Sequence, residues 1–155
     1  MKVEVIYGPD AFPLRRAYEH DAGWDIAASQ FVQIPPFRYR EVRTDVRINV
    51  PPGYATVIWS RSSTFKKGLL VYKGLIDPGY QGEVVVLVYN LFKRYVVLSK
   101  GEYFAQLVFI PFAVPEFKVV EEFSPSVRGT KGFGSSGRYA NVIKGVQHER
   151  RKEDM

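Results

Sequence analysis

Short runs of β-branched and aromatic residues, alternating with polar ones over Met1 to Tyr7, recur along this chain, and no stretch shows an apolar period of 3.6 over helix length. Met1 to Tyr7 reads as a first strand, closed by Gly8-Pro9-Asp10. Leu14 to His20 has room for one helical turn at most. Asp21 to Ala28 is a loop running into a short strand. Further strands are expected at Phe31 to Ile34, Tyr39 to Val50, Tyr54 to Ser60 and Leu69 to Tyr72. Pro35-Pro36, Pro51-Pro52-Gly53 and Lys66-Lys67-Gly68 separate them. Tyr95 to Leu98, Phe104 to Pro111 and Phe117 to Glu121 continue the pattern. Many short strands punctuated by Pro and Gly predict an all-β sandwich or barrel with little helix.

Between these lies Gly74-Leu75-Ile76-Asp77-Pro78-Gly79-Tyr80-Gln81-Gly82-Glu83, followed by the apolar run Val84 to Asn90. Pro78 presets φ for the first central position of a turn, and Gly79 supplies the positive φ of a type II turn. The flanking β-branched and aromatic residues predict a β-hairpin, with Asp77 on one shoulder and Tyr80 on the other.

Composition narrows the class. One domain is the prior for 155 residues, and 46% apolar with 15% aromatic residues is enough to build a core. No apolar run reaches transmembrane length, and the start lacks a signal-peptide core, so a soluble, cytoplasmic protein with no membrane partner is expected. With no cysteine, disulfides and thiolate metal sites are excluded. A net charge of +6 favours anionic partners without separating nucleic acid from nucleotide. Arg38, Arg40, Arg43 and Arg47 read first as a solvated strand face.

From Ser124 the sequence turns to Ser, Gly, Pro, Arg and Lys, which cannot build a core. The expected division is a core over 1–123, a Gly-rich arm over 124–138 and a charged tail over 139–155.

Some residues carry chemistry on their own terms. Read alone, Arg61-Ser62-Ser63 is more simply a polar turn, although Arg offers a planar fork of donors to phosphate. Gly129, Gly132, Gly134 and Gly137 allow close approach of backbone N–H groups to anionic oxygens, and equally make a flexible linker. The interspersed Arg128 and Phe133 favour the first possibility, since a linker needs neither a flat cation nor a flat aromatic ring.

Five blocks in order resemble the five motifs of the trimeric dUTPase family: Ala22-Gly23-Trp24-Asp25-Ile26, Arg61-Ser62-Ser63, Gly74 to Glu83, Gly101-Glu102-Tyr103-Phe104-Ala105-Gln106-Leu107, and Arg128 to Gly137. The resemblance spans Ala22 to Gly137. It implies a distorted jelly-roll barrel of the dUTPase type with a flexible C-terminal arm, a homotrimer, and hydrolysis of dUTP to dUMP and pyrophosphate. It makes Asp77 the base that directs water at the α-phosphate, a role of roughly 10² to 10⁴ in rate. Tyr80 would lie beneath the deoxyribose, and backbone groups beside Gly74, Leu75 and Ile76 would meet the uracil edge, with Val85 nearby. Arg61, Ser62 and Ser63 would grip phosphates. Arg128, Phe133, Gly134 and Ser135 would close over the nucleotide. Gln106 is implied as a nucleotide or metal-water contact, and Asp25 as ordering the metal's water shell or the arm. Mg²⁺ is the implied cofactor, held mainly by phosphate oxygens and water, because it keeps much of its hydration. The family's arginine after the acidic residue of the fourth motif is here Tyr103, and the tail beyond Arg138 runs past the family's usual end.

dCTP deaminases, including bifunctional dCTP deaminase/dUTPases, share Arg-Ser-Ser and Ile-Asp-Pro-Gly with this chain. Their catalytic glutamate, three residues before the Asn that ends the hairpin strand, corresponds to Leu87, which cannot shuttle protons. The other alternative is a catalytically inactive nucleotide- or nucleic-acid-binding protein. No recognised nucleic-acid motif supports it, and no stable nucleic-acid partner is expected.

Overall fold

A computed structural model describes residues 1–143; most of the charged tail expected over 139–155 lies outside the described residues. Ten strands and one short helix follow in order: β1 (Glu4–Tyr7), β2 (Trp24–Ala27), β3 (Val32–Ile34), β4 (Tyr39–Asn49), β5 (Tyr54–Ser60), α1 (Ser62–Lys66), β6 (Leu69–Val71), β7 (Leu75–Ile76), β8 (Glu83–Asn90), β9 (Val96–Leu98) and β10 (Tyr103–Pro111). They form two four-stranded antiparallel sheets, ordered β1-β4-β8-β6 and β2-β10-β5-β7, and a β3-β9 ribbon. This is the all-β architecture that the many short strands predict, of the jelly-roll type that the resemblance implies.

The period of two becomes burial directly. In β4, Val42, Thr44, Val46 and Ile48 point inward; in β8, Val84, Val86, Val88 and Asn90 do. Phe104, Ile26, Leu69, Leu98 and Leu107 fill the space between the layers. Two buried polar side chains act as pins. Asn90 donates to the carbonyls of Ile34 and Arg94 and accepts from Phe92 N–H. Thr64 donates to the Phe104 carbonyl at 2.7 Å, which fastens α1 to β10.

Three local expectations are corrected. β7 pairs with β5 in one sheet while β8 pairs with β4 and β6 in the other, so Gly74 to Asn90 is not a hairpin but a crossing between sheets. The turn chemistry itself is as read: Tyr80 N–H donates to Asp77 O at 3.2 Å and Gly79 has φ +80°. Ser62–Lys66 is helical rather than turn, because Thr64 is buried against β10. Leu14 to His20, within the limit of one helical turn at most, forms none, and Arg15 bridges Asp25 there. Phe117 to Glu121 has strand-like residues but pairs with nothing among the described residues, and its side chains stay exposed.

The chain divides into two compact units, Met1–Pro115 and the segment from Glu116 onward. The second unit is a series of tight turns: Lys131 N–H donates to Arg128 O, Ser135 N–H to Gly132 O and Gly137 N–H to Gly134 O. Among the described residues no helix is long and apolar enough to cross a membrane.

Candidate active site

Where the chain passes from β6 to β7 and back to β8, it leaves a cleft of about 480 Å³ lined by Ile58, Tyr72, Gly74, Leu75, Ile76, Asp77, Tyr80, Glu83, Val84, Val85 and Leu87. Six of these, Gly74, Leu75, Ile76, Asp77, Tyr80 and Val85, are site residues expected from the sequence. β7 is the last strand of its sheet, so one side of its backbone pairs with β5 and the other is left to the cleft. Gly74 O accepts from Ile58 N–H at 2.9 Å, and a side chain at Gly74 would press on Ile58 at 3.1 Å. Glycine therefore lets the wall of the cleft lie close against β5.

The rim is fastened at two points. Tyr80 Oη donates to the Glu83 carbonyl, and Glu83 in turn takes Arg43 Nε at 2.9 Å and Asp45 N–H at 2.9 Å. The Arg43 hydrogen bond is the main cause holding the Glu83 carboxyl below its ordinary range, with the Asp45 N–H adding to it. Asp45 sits at φ +56° where β4 shifts register, and its carboxylate fills the space that the absent side chain of Gly8 leaves.

A second cleft, of about 460 Å³, is lined by Asp21, Ala22, Gly23, Asp25, Trp59, Gln106 and Val108. β10 lies between β2 and β5, which sets Gln106 opposite both Asp25 and Trp59. Gln106 Nε2 donates to Ser60 O at 3.0 Å, and its amide oxygen occupies the place a side chain at Gly23 would need. Beside this cleft Arg61 Nε lies 3.1 Å from Asp25 Oδ1, and an Arg61 terminal nitrogen donates to Tyr103 O at 2.7 Å. Ser62 and Ser63 open α1 with exposed hydroxyls.

The two clefts share no lining residue. Arg128, Phe133, Gly134 and Ser135 lie in the second unit, where Arg128 Nε donates to Lys131 O and the Phe133 ring is fully exposed. Sequence reasoning missed Tyr72, Glu83 and Trp59 as lining residues, and no local signal marks them: β5 has four successive buried residues and β8 is a continuous apolar run, so neither sequence assigns a face. It also left out Arg15, whose contact with Asp25 follows from a single bridge pair that no motif marks.

Residues 11–137 match the family model described as dUTPase. The curated deoxyuridine 5'-triphosphate nucleotidohydrolase of Tropheryma whipplei (strain Twist) is 37% identical over 143 residues, covering 90% of this chain and 97% of that protein. The Pol polyprotein of Ovine maedi visna related virus (strain South Africa) is 37% identical over 119 residues, 77% of this chain. The chain spans 11% of the length of that polyprotein. Among solved structures, a mutant dUTPase of Staphylococcus bacteriophage 80alpha with dUpNHpp superposes with a TM-score of 0.82 at 32% identity, over 88% of this chain and 99% of the phage chain. A mutant dUTPase from phage phi11 of S. aureus, described with a structural Mg(II) ion, gives a TM-score of 0.76 at 28% identity, over 81% and 100%.

Proposed function

The chain belongs to the dUTPase family, and from that premise we propose that it hydrolyses dUTP to dUMP and pyrophosphate. The observation that carries the proposal is the shared cleft of Asp77, Tyr80 and the free edge of β7. A base edge laid along an unpaired strand edge finds backbone donors and acceptors at fixed positions. Cytosine, with reversed polarity at N3 and C4, leaves them unpaired and is rejected. Tyr80 then lies against the sugar, and Asp77 takes the proton of the attacking water as it adds to the α-phosphate. The bond to the bridging oxygen breaks and pyrophosphate leaves. Arg61, Ser62, Ser63 and Gln106 hold the phosphates. Arg128, Phe133, Gly134 and Ser135 of the arm over 124–138 cover the nucleotide and exclude water.

Mg²⁺ is the proposed cofactor, and when bound it neutralises phosphate charge. No group of three His, Asp or Glu among the described residues could cage a metal ion. Both Asp25 oxygens already meet guanidiniums, so this chain suits an ion held by phosphate oxygens and water. Gln106, with its amide oxygen at the second cleft, is the better water-mediated candidate of the two. A homotrimer is part of the proposal. Asp77 and the edge assigned to the base line one cleft, whereas Gln106 lines the other and the Asp25-bound Arg61 lies beside it, and a neighbouring copy supplies one set to the other. Absence of cysteine agrees with a cytoplasmic location.

The deaminase alternative is disfavoured by Leu87, which lines the same cleft as Asp77 and offers no proton to move. The test is incubation with each deoxynucleoside triphosphate and Mg²⁺. Pyrophosphate released from dUTP alone is expected. Ammonia released from dCTP would assign a deaminase, neither product would leave a binding protein, and equal turnover of dTTP would remove the base selectivity.

A further inference from the structure

Arg15, Asp25, Arg61 and Tyr103 form a closed ring beside the second cleft. Arg15 and Asp25 face each other in an isolated antiparallel bridge, with N–H to carbonyl distances of 3.2 and 2.6 Å. That register brings an Arg15 terminal nitrogen 3.3 Å from Asp25 Oδ2, while Arg61 Nε takes Oδ1 at 3.1 Å. Arg61 also donates to the Tyr103 carbonyl. The Arg15 guanidinium carbon lies 4.0 Å from the centroid of the Tyr103 ring, and the ring is fixed in turn by its hydroxyl donating to Pro13 O at 2.8 Å.

We propose that Arg15 is a positioning residue: lying over the Tyr103 ring and taking one oxygen of Asp25, it keeps Asp25 from drawing Arg61 into a two-pronged pair and so leaves Arg61 with donors for phosphate. The Asp25 side chain is 12% exposed, and a carboxylate that desolvated requires donors on both oxygens. With Arg15 present each oxygen has its own guanidinium. Arg61 then commits Nε to Asp25 and one terminal nitrogen to Tyr103 O, and its other terminal nitrogen is free of both contacts. Two guanidiniums against one carboxylate also leave the ring with one net positive charge, which favours an anion and disfavours a metal ion bound directly to Asp25. Tyr103 stands where the resembling motif carries arginine. Here the ring supplies a face for a guanidinium arriving from residue 15, a stacking that suits the planar Arg and not the point charge of Lys.

The inference rests on the proposed phosphate role of Arg61, and its test separates the two. Binding of inorganic pyrophosphate and of dUpNHpp is measured by calorimetry in metal-free buffer, alongside dUTP kinetics with Mg²⁺, for the full chain. Arg15→Ala is expected to weaken both ligands roughly tenfold and to raise KM with kcat little changed. Arg15→Lys restores only part of the loss. Tyr103→Leu loses about as much as Arg15→Ala, Tyr103→Phe keeps binding within about twofold, and Arg15→Ala with Tyr103→Leu is no worse than Arg15→Ala alone. Metal-free binding unchanged in Arg15→Ala, or a shift confined to the Mg²⁺ midpoint, overturns the proposal, as does a wild-type protein that binds no pyrophosphate. Pyrophosphate binding that depends on Arg15 in a protein that leaves dUTP intact would uphold it while removing the proposed activity.

Discussion

Tyr80 and Glu83 are joined across the turn, the phenol donating to the glutamate carbonyl at 3.1 Å. The contact fixes the ring at the cleft rim, and Gly82 makes room for it: a side chain there would come within 2.4 Å of the Tyr80 hydroxyl. A 2′-hydroxyl pressed on the ring face would lose its water partners, at about 1–3 kcal/mol. Tyr80→Ala is therefore expected to raise kcat/KM for UTP relative to dUTP by roughly tenfold or more. Gly82→Ala, which displaces the ring without removing it, should shift the ratio in the same direction. Unchanged ratios in both would place sugar selection in another residue.

Asp77 borders the same cleft at the first position of the turn. Asp77→Asn keeps the shape of the side chain and removes the base. Turnover of dUTP should fall by roughly 10² to 10⁴ while binding of dUpNHpp stays close to wild type. A near-normal kcat would assign water activation elsewhere.

The Glu83 carboxyl, held below its ordinary value of 4.5 mainly by the Arg43 hydrogen bond, carries a pH signature. A carboxylate with a lowered folded pKa adds stability that is complete above the unfolded value and is lost as pH falls through the folded one. Thermal unfolding of Glu83→Gln and wild type should thus differ at neutral pH and converge below pH 4.5. The Arg43 side chain is 61% exposed, so screening by salt should narrow the difference. Parallel curves across the acid range would show the pair to be energetically silent.

Thr56 Oγ1 is buried on β5 without a hydrogen-bond partner among the described residues. Leaving a buried hydroxyl unsatisfied costs about 1–3 kcal/mol, so Thr56→Val, close in shape and apolar, should raise the denaturant midpoint by an amount worth about 1 kcal/mol. A lower midpoint would mean that a water or a neighbouring chain serves the hydroxyl.

What the sequence made legible follows from segment length. β4 alternates over several periods, so its extent and inward face could be read before pairing was known, and β8 is an apolar run long enough to be read as a strand though not to assign its inward face. β7 has two residues and α1 has five, too few to show a period, and their partners were decided by tertiary contacts: β5 for the first, Phe104 O for the second. The turn at Asp77 was legible because Pro78 and Gly79 fix it locally. Which sheet each flank joins is not a local property, and hence the expected hairpin became a crossing. Phe117 to Glu121 carries strand residues without a partner strand among the described residues, and composition alone cannot supply one.

The two ends of the Gly-rich segment make opposite predictions from nearby cut sites. The last strand ends at Pro111, and every described residue from Ser124 onward is exposed. Removing 124–155 should therefore leave an unfolding midpoint close to that of the full chain, since none of the described residues it takes away is buried. Catalysis should nevertheless collapse if Arg128 and Phe133 cover the nucleotide as proposed, because the phosphates would then stay in contact with water. Removing only 139–155 spares all five motif-like blocks and should leave kcat and KM near wild type. Loss of activity in the shorter deletion would bring the tail into the site or a subunit contact. Full activity in the longer one would reduce the arm to a linker and withdraw Arg128, Phe133, Gly134 and Ser135 from the proposed site.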